Sequence, residues 1–479
     1  MIILWIILAL FVIFIAVILI RTLMFTPKDT GAKEFEEIDF DRGKAVDNLR
    51  ELVMCRTISY RDHELEDDAE FEKLIGKLPT LYPHVFEKCE FRRFPDRGIL
   101  FTWKGQEAGE PSILMAHYDV VPVNEEMWDK DPFAGIIEDG VLWGRGTIDT
   151  KPTFNGALTA ADHLIAQGFT PKNDIYMAFS GGEEISGKGA ENIVDYFYEQ
   201  GITPAMVVDE GGAVVEGVFP GVQGPCGMVG IAEKGLMNIA YTVNANGGHA
   251  SSPAAHTPIG ILSEACTRVE NNPCKAHFTK PVLDMFDTLG RHSTFVYRMI
   301  FANLWCFGWL LDNLFKKTGG QLNALIRTTV AFTQMFGSKA ENVIPPTASM
   351  VSNIRINPED SVASVQEYLK KVINDDRVEI SITDDADEPS PISRTDCEGY
   401  ERVKTAIEGT WRGAIVTPYL MVQCSDSRHY AKISDKVYRF SAQDMTSEEM
   451  NMIHGNNERI RLEAAQRAVE FYIRLIKQC

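Results

Sequence analysis

The chain opens with an uninterrupted apolar run and then changes to shorter patterns of apolar and polar positions. The run from Ile2 to Ile20 carries no charge and approaches the roughly 20 residues that a helix needs to cross a bilayer. A cleavable signal peptide has a basic start, a shorter apolar stretch and a small-residue cleavage site, and none of these is clear here. The pattern predicts a single-pass transmembrane anchor over residues 1–25 and leaves open which side of the membrane the remaining chain faces.

Strand-like and helical patterns alternate between residues 38 and 235. Short apolar runs predict buried strands, and the longer periodic stretches between them predict helices. The predicted strands are 98–103, 112–115, 175–179 and 206–208, and the predicted helices are 151–167 and 190–199. Such alternation is typical of an α/β domain with a largely parallel sheet, whose functional sites lie at the carboxyl ends of the strands.

The pattern changes at Leu236. Alternating residues at 237–243 and further strand-like residues within 342–356 predict an antiparallel sheet, and helical stretches lie between and after them. We interpret residues 236–386 as a small α+β domain inserted into the first domain. The first domain then resumes over 387–479 and ends in an amphipathic helix.

An apolar block interrupts the predicted insertion at about residues 281–335. Its densest part runs from Phe295 to Phe315 and includes Trp305 and Trp309. Charged and polar residues break this stretch too often for a second transmembrane span. We expect buried or membrane-apposed helices here.

Composition narrows the class of protein only slightly. The 479 residues are 45% hydrophobic and 24% charged, as in an ordinary globular protein. The formal net charge of -20 makes nucleic acid an unfavourable partner. The nine cysteines form no Cys-x-x-Cys pair, which disfavours a disulfide framework and a cysteine-based zinc site.

Candidate chemistry is concentrated in the glycine-rich stretch 181–187, which follows the predicted strand 175–179. It contains the adjacent carboxylates Glu183 and Glu184. Neighbouring side chains point in different directions, so one carboxylate could bind a metal while the other acts as a general base. An isolated Glu-Glu pair would be better interpreted as a solvated acidic loop, but other segments supply further ligands.

Four further segments carry metal-binding side chains. His117 follows a predicted strand, and Asp119 shares its face and can orient a ligand. Asp149 follows a glycine turn, where capping of the next helix is the alternative role. Asp209 follows another predicted strand, and His454 lies near the C-terminus. These oxygen and nitrogen donors, without thiolates, suit a pair of zinc ions.

The order of these motifs resembles the zinc-dependent carboxypeptidase S, aminoacylase and dipeptidase superfamily, and in particular its carboxypeptidase S-like branch. The resemblance extends from about Ile113 to the C-terminus. It implies a two-zinc catalytic domain with a mostly parallel mixed sheet flanked by helices, and an inserted α+β lid domain. The motifs that carry it are His117–Pro122, Trp128 with Pro132 and Phe133, Gly144–Lys151, Glu183 and Glu184 with Gly187, Asp209–Gly211, Gly248 and His249, Asn342–Pro345, Asn353–Arg355, Asp426–Arg428, and His454 with Gly455.

The resemblance implies a ligand set for the two zinc ions. Asp149 would bridge both ions. His117 and Asp209 would complete one site, and Glu184 and His454 would complete the other.

The resemblance also implies catalytic roles. Glu183 would be the general base, and Asp119 would orient a ligand. His249 in the lid domain would stabilise the oxyanion, and in many family members this histidine comes from a partner subunit in a lid-mediated homodimer. The apolar block at 281–335 departs from the usual lid and leaves dimerisation open, and Thr150 stands where an acidic residue or methionine is common.

Substrate recognition follows from the same resemblance. Arg355, with Asn353 in the same motif, and Arg428 would bind the free carboxylate of the substrate. The leading hypothesis is therefore a membrane-anchored exopeptidase that cleaves dipeptides or C-terminal residues of short peptides. The alternatives are an aminoacylase-like hydrolase of N-acyl amino acids and an inactive relative that serves as a scaffold or binding protein.

Overall fold

The computed structural model describes residues 1–28, 34–217, 219–383 and 386–479. Helices and strands are numbered separately in chain order. The α-helices are α1 Ile2–Met24, α2 Arg42–Val53, α3 Asp68–Leu81, α4 Pro83–Lys88, α5 Lys151–Ala166, α6 Gly189–Glu199, α7 Pro258–Asn271, α8 Lys280–His292, α9 Phe295–Ala302, α10 Leu304–Thr318, α11 Gly320–Ile326, α12 Val362–Ile373, α13 Glu398–Thr410, α14 Ser447–Met450 and α15 Leu462–Ile476. The β-strands are β1 Glu90–Phe94, β2 Gly98–Trp103, β3 Ser112–His117, β4 Ile136–Glu138, β5 Val141–Trp143, β6 Ile175–Ser180, β7 Met206–Val215, β8 Cys226–Glu233, β9 Gly235–Asn244, β10 Gly248–His249, β11 Thr329–Phe336, β12 Val343–Ile344, β13 Thr347–Ile356, β14 Glu379–Ile382, β15 Ile415–Met421, β16 Val437–Met445 and β17 Arg459–Arg461.

Eight strands form one mixed sheet in the order β1-β2-β6-β3-β7-β16-β8-β15. Strand β3 runs parallel to both β6 and β7, β16 runs parallel to β7, and β15 runs parallel to β8. Every residue of β3 and β6 is buried, as expected for strands covered on both faces. The predicted α/β fold with a mixed sheet is therefore confirmed.

Helices cover both faces of this sheet. Helix α5 packs between strand β3 and the helices α2, α4 and α15, which explains why almost all of its residues are buried. Helix α6 covers the opposite face, where Ile193 and Phe197 join Tyr430 in a second cluster of buried side chains. Helix α15 begins only at Leu462, because the preceding residues form the short strand β17. The sheet is thereby held rigidly, and the residues at its carboxyl edge are fixed in position.

A second sheet forms between residues 235 and 382. It is antiparallel, with the strand order β11-β13-β9-β14. Strand β9 alternates buried and less buried residues, and α7 and α12 pack on the buried face. This region therefore has a hydrophobic core of its own. The division of the chain into domains at residues 236 and 387 stays a prediction.

The apolar block forms the helices α8 to α11, and its last residues belong to strand β11. Phe301, Leu311 and Phe315 are buried in a core cluster, whereas Trp305 and Trp309 are 58% and 68% exposed. The sequence therefore predicted helices correctly, and the structure shows that they are buried on one side only.

The apolar N-terminal stretch forms α1, which docks on these helices at one end. Arg21 Nη2 donates to the carbonyl oxygen of Ala302 at 2.9 Å, and Asn303 Nδ2 donates to Thr22 Oγ1 at 3.3 Å. Most of α1 is exposed. By length and composition, this is the one helix within the described parts of the chain that is apolar enough to cross a membrane.

Candidate active site

The predicted ligand residues converge at the carboxyl edge of the eight-stranded sheet. His117 is the last residue of β3, and Glu183 and Glu184 lie in a short helical turn just after β6. Asp149 lies two residues before α5, and His454 lies in the loop between α14 and β17. The parallel arrangement of β3 and β6 places their carboxyl ends side by side, which is why segments distant in sequence meet here.

The carboxylate of Asp149 lies between the two imidazoles. Its Oδ1 is 3.1 Å from His117 Nε2, and its Oδ2 is 3.2 Å from His454 Nε2. His454 Nε2 also lies 3.0 Å from Glu184 Oε2. One carboxylate thus presents each of its oxygens to a different histidine, and the peptide bond that follows it is cis.

Glu210, which the sequence analysis did not select, faces the other side of this arrangement. Its Oε1 lies 3.3 Å from His117 Nε2. The neighbouring Asp209 points away, and its Oδ2 accepts a hydrogen bond from the backbone N–H of Ser427 at 3.0 Å. Glu210 rather than Asp209 therefore faces His117 in this structure, and metal binding by Asp209 stays a prediction.

Asp209 and Glu210 face different ways because β7 does not end at residue 208, where the sequence predicted its end. It continues to Val215, and its pairing with β16 is interrupted between Asp209 and Gly212. Gly211 has φ of +138°, and a Cβ at Gly212 would lie 1.8 Å from the carbonyl oxygen of Met228. Successive side chains of a strand point to opposite faces, so Asp209 and Glu210 diverge at the start of this bulge.

Asp119 organises the residues around it. Its Oδ2 accepts hydrogen bonds from Ser59 Oγ at 2.6 Å and from the backbone N–H of Glu184 at 3.2 Å. Its Oδ1 accepts from the backbone N–H of Glu183 at 3.2 Å and lies 3.4 Å from His117 Nδ1. The Nε2 atom of His117 is therefore directed toward Asp149 and Glu210. This placement agrees with an orienting role for Asp119, which stays a prediction.

Proton equilibria in the cluster reflect its buried excess of carboxylates. Burial favours neutral His117, but Glu210, Asp119 and Asp149 outweigh burial and raise the pKa of His117 well above its usual value. Hydrogen bonds with Asp149 and Glu184 raise the pKa of His454 to about 10. Burial raises the pKa of Glu210 to about 8.

Burial among carboxylates also shifts the pKa of Glu183. Burial, reinforced by the nearby carboxylates of Glu210 and Asp426, raises the pKa of Glu183 well above its usual value. A buried carboxyl group of this kind holds a proton more firmly than a solvated one, as a group that accepts a proton during catalysis requires. The position of Glu183 beside His117 thus fits the predicted role of general base.

The donor atoms are suited to divalent cations. One atom each from His117, Asp149 and Glu184 lies within 4.8 Å of the others, and the same holds for His117, Glu183 and Glu210. Imidazole nitrogens and carboxylate oxygens without thiolates match zinc and similar metals. Two cations here would offset the negative charge that otherwise raises the pKa values of both histidines.

Glu458 holds the loop that carries Asp149, a role that no sequence motif indicated. It is fully buried, and its Oε2 accepts hydrogen bonds from Arg145 Nη1 at 2.7 Å and from the backbone N–H of Gly146 at 3.0 Å. Its Oε1 accepts from the backbone N–H groups of Ile148 at 2.6 Å and Asp149 at 3.2 Å. Because 309 residues separate Glu458 from Asp149 in sequence, only the fold reveals this contact.

The residues predicted to act from the second sheet region are not part of the cluster. His249 is exposed in β10, its Nδ1 lies 2.8 Å from Ser251 Oγ, and it forms no ion pair with a cluster carboxylate among the described residues. Asn353 donates to Asn238 Oδ1 at 2.9 Å and accepts from Arg355 Nε at 3.3 Å. Their roles stay predictions.

The two candidate arginines both lie near Cys424. Arg355 Nη1 is 3.2 Å from Cys424 Sγ, and Arg428 Nη1 forms an ion pair with Asp387 Oδ2 at 3.1 Å. Burial raises the pKa of the Cys424 thiol, and both guanidinium groups oppose that rise. Two cationic groups from different parts of the chain are thus close together, although neither contacts the carboxylate cluster.

Comparisons with known proteins identify the family of this chain. The sequence pattern of the family described as Peptidase family M20/M25/M40 matches residues 113–478. The chain is 36% identical to the N-fatty-acyl-amino acid synthase/hydrolase PM20D1 of Xenopus tropicalis, over 97% of this chain and 93% of that protein. It is 34% identical to the probable carboxypeptidase S-like 2 of Dictyostelium discoideum, over 90% and 84% of the two chains.

A solved structure shows the same fold. It is the M20 family metallo-carboxypeptidase Sso-CP2 from Sulfolobus solfataricus, which matches with a TM-score of 0.66 at 17% identity and covers 90% of this chain and 98% of that one. The resemblance inferred from the motif order is thereby confirmed. The chain belongs to the M20/M25/M40 family of peptidases and is a hydrolase.

Proposed function

We propose that this protein is a two-zinc hydrolase that cleaves an amide bond next to a free carboxylate. The observation that carries the proposal is the position of Asp149, whose two oxygens each face a different imidazole. This arrangement suits a carboxylate that bridges two metal ions. His117 and Glu210 would complete one site, and Glu184 and His454 would complete the other.

Bound zinc supplies Lewis-acid polarisation of a carbonyl group and lowers the pKa of water. Glu183 would accept the proton of the attacking water and deliver it to the leaving nitrogen. The backbone N–H of Glu183 donates a hydrogen bond to Asp119 Oδ1, and this bond fixes the start of the turn that carries Glu183. Asp119 would also keep His117 Nε2 directed toward the metal.

Recognition of the carboxylate is assigned to Arg355 and Arg428, because a guanidinium group binds a carboxylate through two parallel hydrogen bonds. This would select exopeptidase substrates, either dipeptides or the C-terminal residues of short peptides. A second candidate substrate is an N-acyl amino acid, which also carries a carboxylate beside the amide. The chain is similar in sequence to the relative from Xenopus tropicalis, whose name states that it acts on N-fatty-acyl amino acids. This similarity favours the second candidate.

The second sheet region would act as a lid. Closure over the substrate would bring His249 toward the reacting carbonyl, either within one chain or from a partner subunit in a homodimer. The exposure of His249 supports this proposal, because its ring is free to reach a new position.

We further propose that α1 anchors the protein in a membrane as a single span. Its 23 residues include an 18-residue stretch with a mean hydropathy of 3.5, of which only 6% is buried. The exposed Trp305 and Trp309 lie on the helix that α1 contacts, where Phe14 packs edge-on against Trp305 with ring centroids 5.7 Å apart. An exposed apolar surface beside α1 is suited to contact with lipid.

The test uses the full-length chain in lipid nanodiscs. Zinc per chain is measured, together with the hydrolysis of a dipeptide and of N-acetyl amino acids, for the native protein and for Glu183→Gln. We expect close to two zinc ions per chain in both proteins. Activity in Glu183→Gln should fall by about 10²- to 10⁴-fold, because the variant lacks a proton acceptor.

The outcomes separate the alternatives. Two zinc ions with cleavage of N-acyl amino acids alone would select the second substrate class. A well-folded protein that binds no zinc and hydrolyses neither substrate would overturn the proposal and favour a binding or scaffold function.

A further inference from the structure

An apolar cavity of about 230 Å³ lies beside the candidate active site. Gly211 and Gly212, which directly follow Glu210, form part of one wall, and Ile453, which directly precedes His454, forms part of another. Residues next to metal-ligand candidates on two different segments therefore border the same space. The cavity therefore lies next to the carboxylate cluster in the fold.

The far wall of the cavity comes from the apolar block. Met285 of α8 and Leu322 and Leu325 of α11 line it, together with Phe219 from the segment after β7. Met285, Leu325 and Phe219 are buried in one core cluster, which Leu322 joins from its edge. The apolar block thus helps to build a cavity beside the candidate active site.

Charge is absent from the lining. None of the described residues that border the cavity is Asp, Glu, Lys, Arg or His. The polar side chains there are the amides of Gln321, Gln423 and Asn451, the hydroxyl of Tyr419 and the thiol of Cys226. The free ammonium group of a dipeptide would lose its hydration in such a space without gaining a counter-ion. Burial of an unpaired charge is strongly unfavourable, whereas burial of an alkyl chain is favourable.

We propose that this cavity binds the acyl chain of an N-acyl amino acid whose amide bond lies at the metal cluster. The proposal rests on the proposed hydrolase function and specifies its substrate class. The carboxylate of the substrate points toward the candidate arginines, and its hydrocarbon chain passes Gly211 and Ile453 and ends against Leu322 and Leu325. The apolar block is accordingly a substrate-binding element.

The size of the cavity limits the length of the acyl chain that it can hold. At about 30 Å³ for a group the size of a water molecule, 230 Å³ holds roughly seven or eight methylene-sized groups. Each methylene that leaves water contributes a factor of about four to binding. Acyl chains of about eight carbons should therefore fill the cavity, and longer chains should gain little more.

The experiment compares N-acylglycines with acetyl, butanoyl, hexanoyl, octanoyl and dodecanoyl chains. The full-length, zinc-loaded protein is held in phosphatidylcholine nanodiscs, and empty nanodiscs correct for partition of the substrate into lipid. We expect kcat/KM to rise roughly two- to fourfold per methylene up to octanoyl and then to level off.

A variant that fills the cavity tests the location. Leu322→Trp enlarges a partly buried wall residue, and we expect it to reduce kcat/KM for the octanoyl substrate by at least about tenfold while the acetyl substrate changes by less than about twofold. The matched control is Leu283→Trp, which makes the same substitution at an exposed position of α8 away from the cavity. If Leu322→Trp does not fold, Met450→Trp fills the cavity from the opposite wall.

The results distinguish failure of the cavity from failure of the hydrolase. Equal kcat/KM values for acetyl and octanoyl substrates, or equal losses for both in Leu322→Trp, would overturn the cavity proposal and leave the hydrolase intact. If no amide is cleaved, the hydrolase proposal fails, and the dissociation constant of N-octanoylglycine decides the cavity. Binding that is weakened by Leu322→Trp and not by Leu283→Trp would support the cavity, and binding that neither variant changes would overturn it.

Discussion

The two regions that carry predicted catalytic residues differ in how far those residues are already assembled. At the carboxyl edge of the eight-stranded sheet, a chain of contacts of 3.3 Å or less links five side chains, those of Glu210, His117, Asp149, His454 and Glu184. In the second sheet region, the predicted groups form local hydrogen bonds and remain apart from the cluster.

This difference follows from burial. Charged groups that are buried together need fixed partners, so the edge of the large sheet must be organised before any substrate arrives. An exposed side chain on a two-stranded ribbon is solvated and has no such requirement. We therefore expect substitutions in the first region to disturb metal binding and stability, and substitutions in the second region to disturb catalysis alone.

The largest effect is expected at Glu210. Glu210→Ala should remove one metal ligand and reduce kcat/KM by more than about 10³-fold, because loss of a direct ligand exceeds the 10- to 100-fold cost of losing an outer-shell partner. Zinc content should fall toward one ion per chain. Metal analysis and steady-state kinetics on the purified variant provide the measurement.

The matched control is Asp209→Asn. Asp209 Oδ2 accepts a backbone hydrogen bond from Ser427, and the Asn side chain retains an oxygen that can accept it. This variant should keep two zinc ions. If Asp209→Asn loses zinc and Glu210→Ala keeps it, the sequence-based ligand set is correct and the structural one is wrong.

A large loss of stability is expected at Glu458. Glu458→Gln leaves the Arg145 guanidinium buried without its anionic partner and turns an amide N–H₂ group toward backbone donors. Breaking a buried ion pair in this way destabilises the fold by about 3–5 kcal/mol. The free energy of unfolding, measured by urea denaturation, tests the prediction.

Glu463→Gln offers the comparison for Glu458. Glu463 pairs with Arg467, but its side chain is 73% exposed, so the change should cost no more than about 1 kcal/mol. Similar losses for the two variants would show that the buried pair does not secure the Asp149 loop.

The sequence revealed most of the candidate metal site and few of the residues that hold it in place. His117, Asp149 and His454 were identifiable because each lies in a short motif, and the order of the motifs is specific. The choice between Asp209 and Glu210 depends on a bulge in β7, which no local pattern indicated. Glu458 was missed as well, because its partners lie more than 300 residues away in sequence.

The helices showed a similar limit. Apolar residues predicted helices in the block from Phe295 to Phe315, but periodicity alone did not separate the buried side from the exposed one. That separation depends on packing against α1 and on the core around Phe219 and Phe286. Long-range packing therefore decides what local pattern leaves open.

A moderate effect confined to catalysis is expected at His249. His249→Ala should lower kcat by about 10²-fold if the imidazole stabilises the oxyanion. Because the ring is exposed and bonds only locally, the melting temperature and the zinc content should not change. An unchanged kcat would show that the second sheet region does not supply this group. His256→Ala, another exposed histidine of the same region, is the control and should leave kcat unchanged.

The smallest effect is the pH dependence of stabilisation by zinc, and its sign distinguishes the metal cluster from an ordinary acidic patch. The pKa of His454 is raised to about 10, so its ion pairs stabilise the metal-free fold fully below pH 6.5 and lose that contribution as the pH rises through 10. The raised pKa of Glu210, about 8, acts in the same direction, because ionisation of this buried carboxyl destabilises the metal-free fold.

Zinc also competes with protons for both imidazoles, and each proton released strengthens binding by at most about 1.4 kcal/mol per pH unit. The difference in melting temperature between zinc-loaded and metal-free protein should therefore increase from pH 6 to pH 8. A difference that stays constant or decreases over this range would show that zinc does not displace protons from His117 and His454.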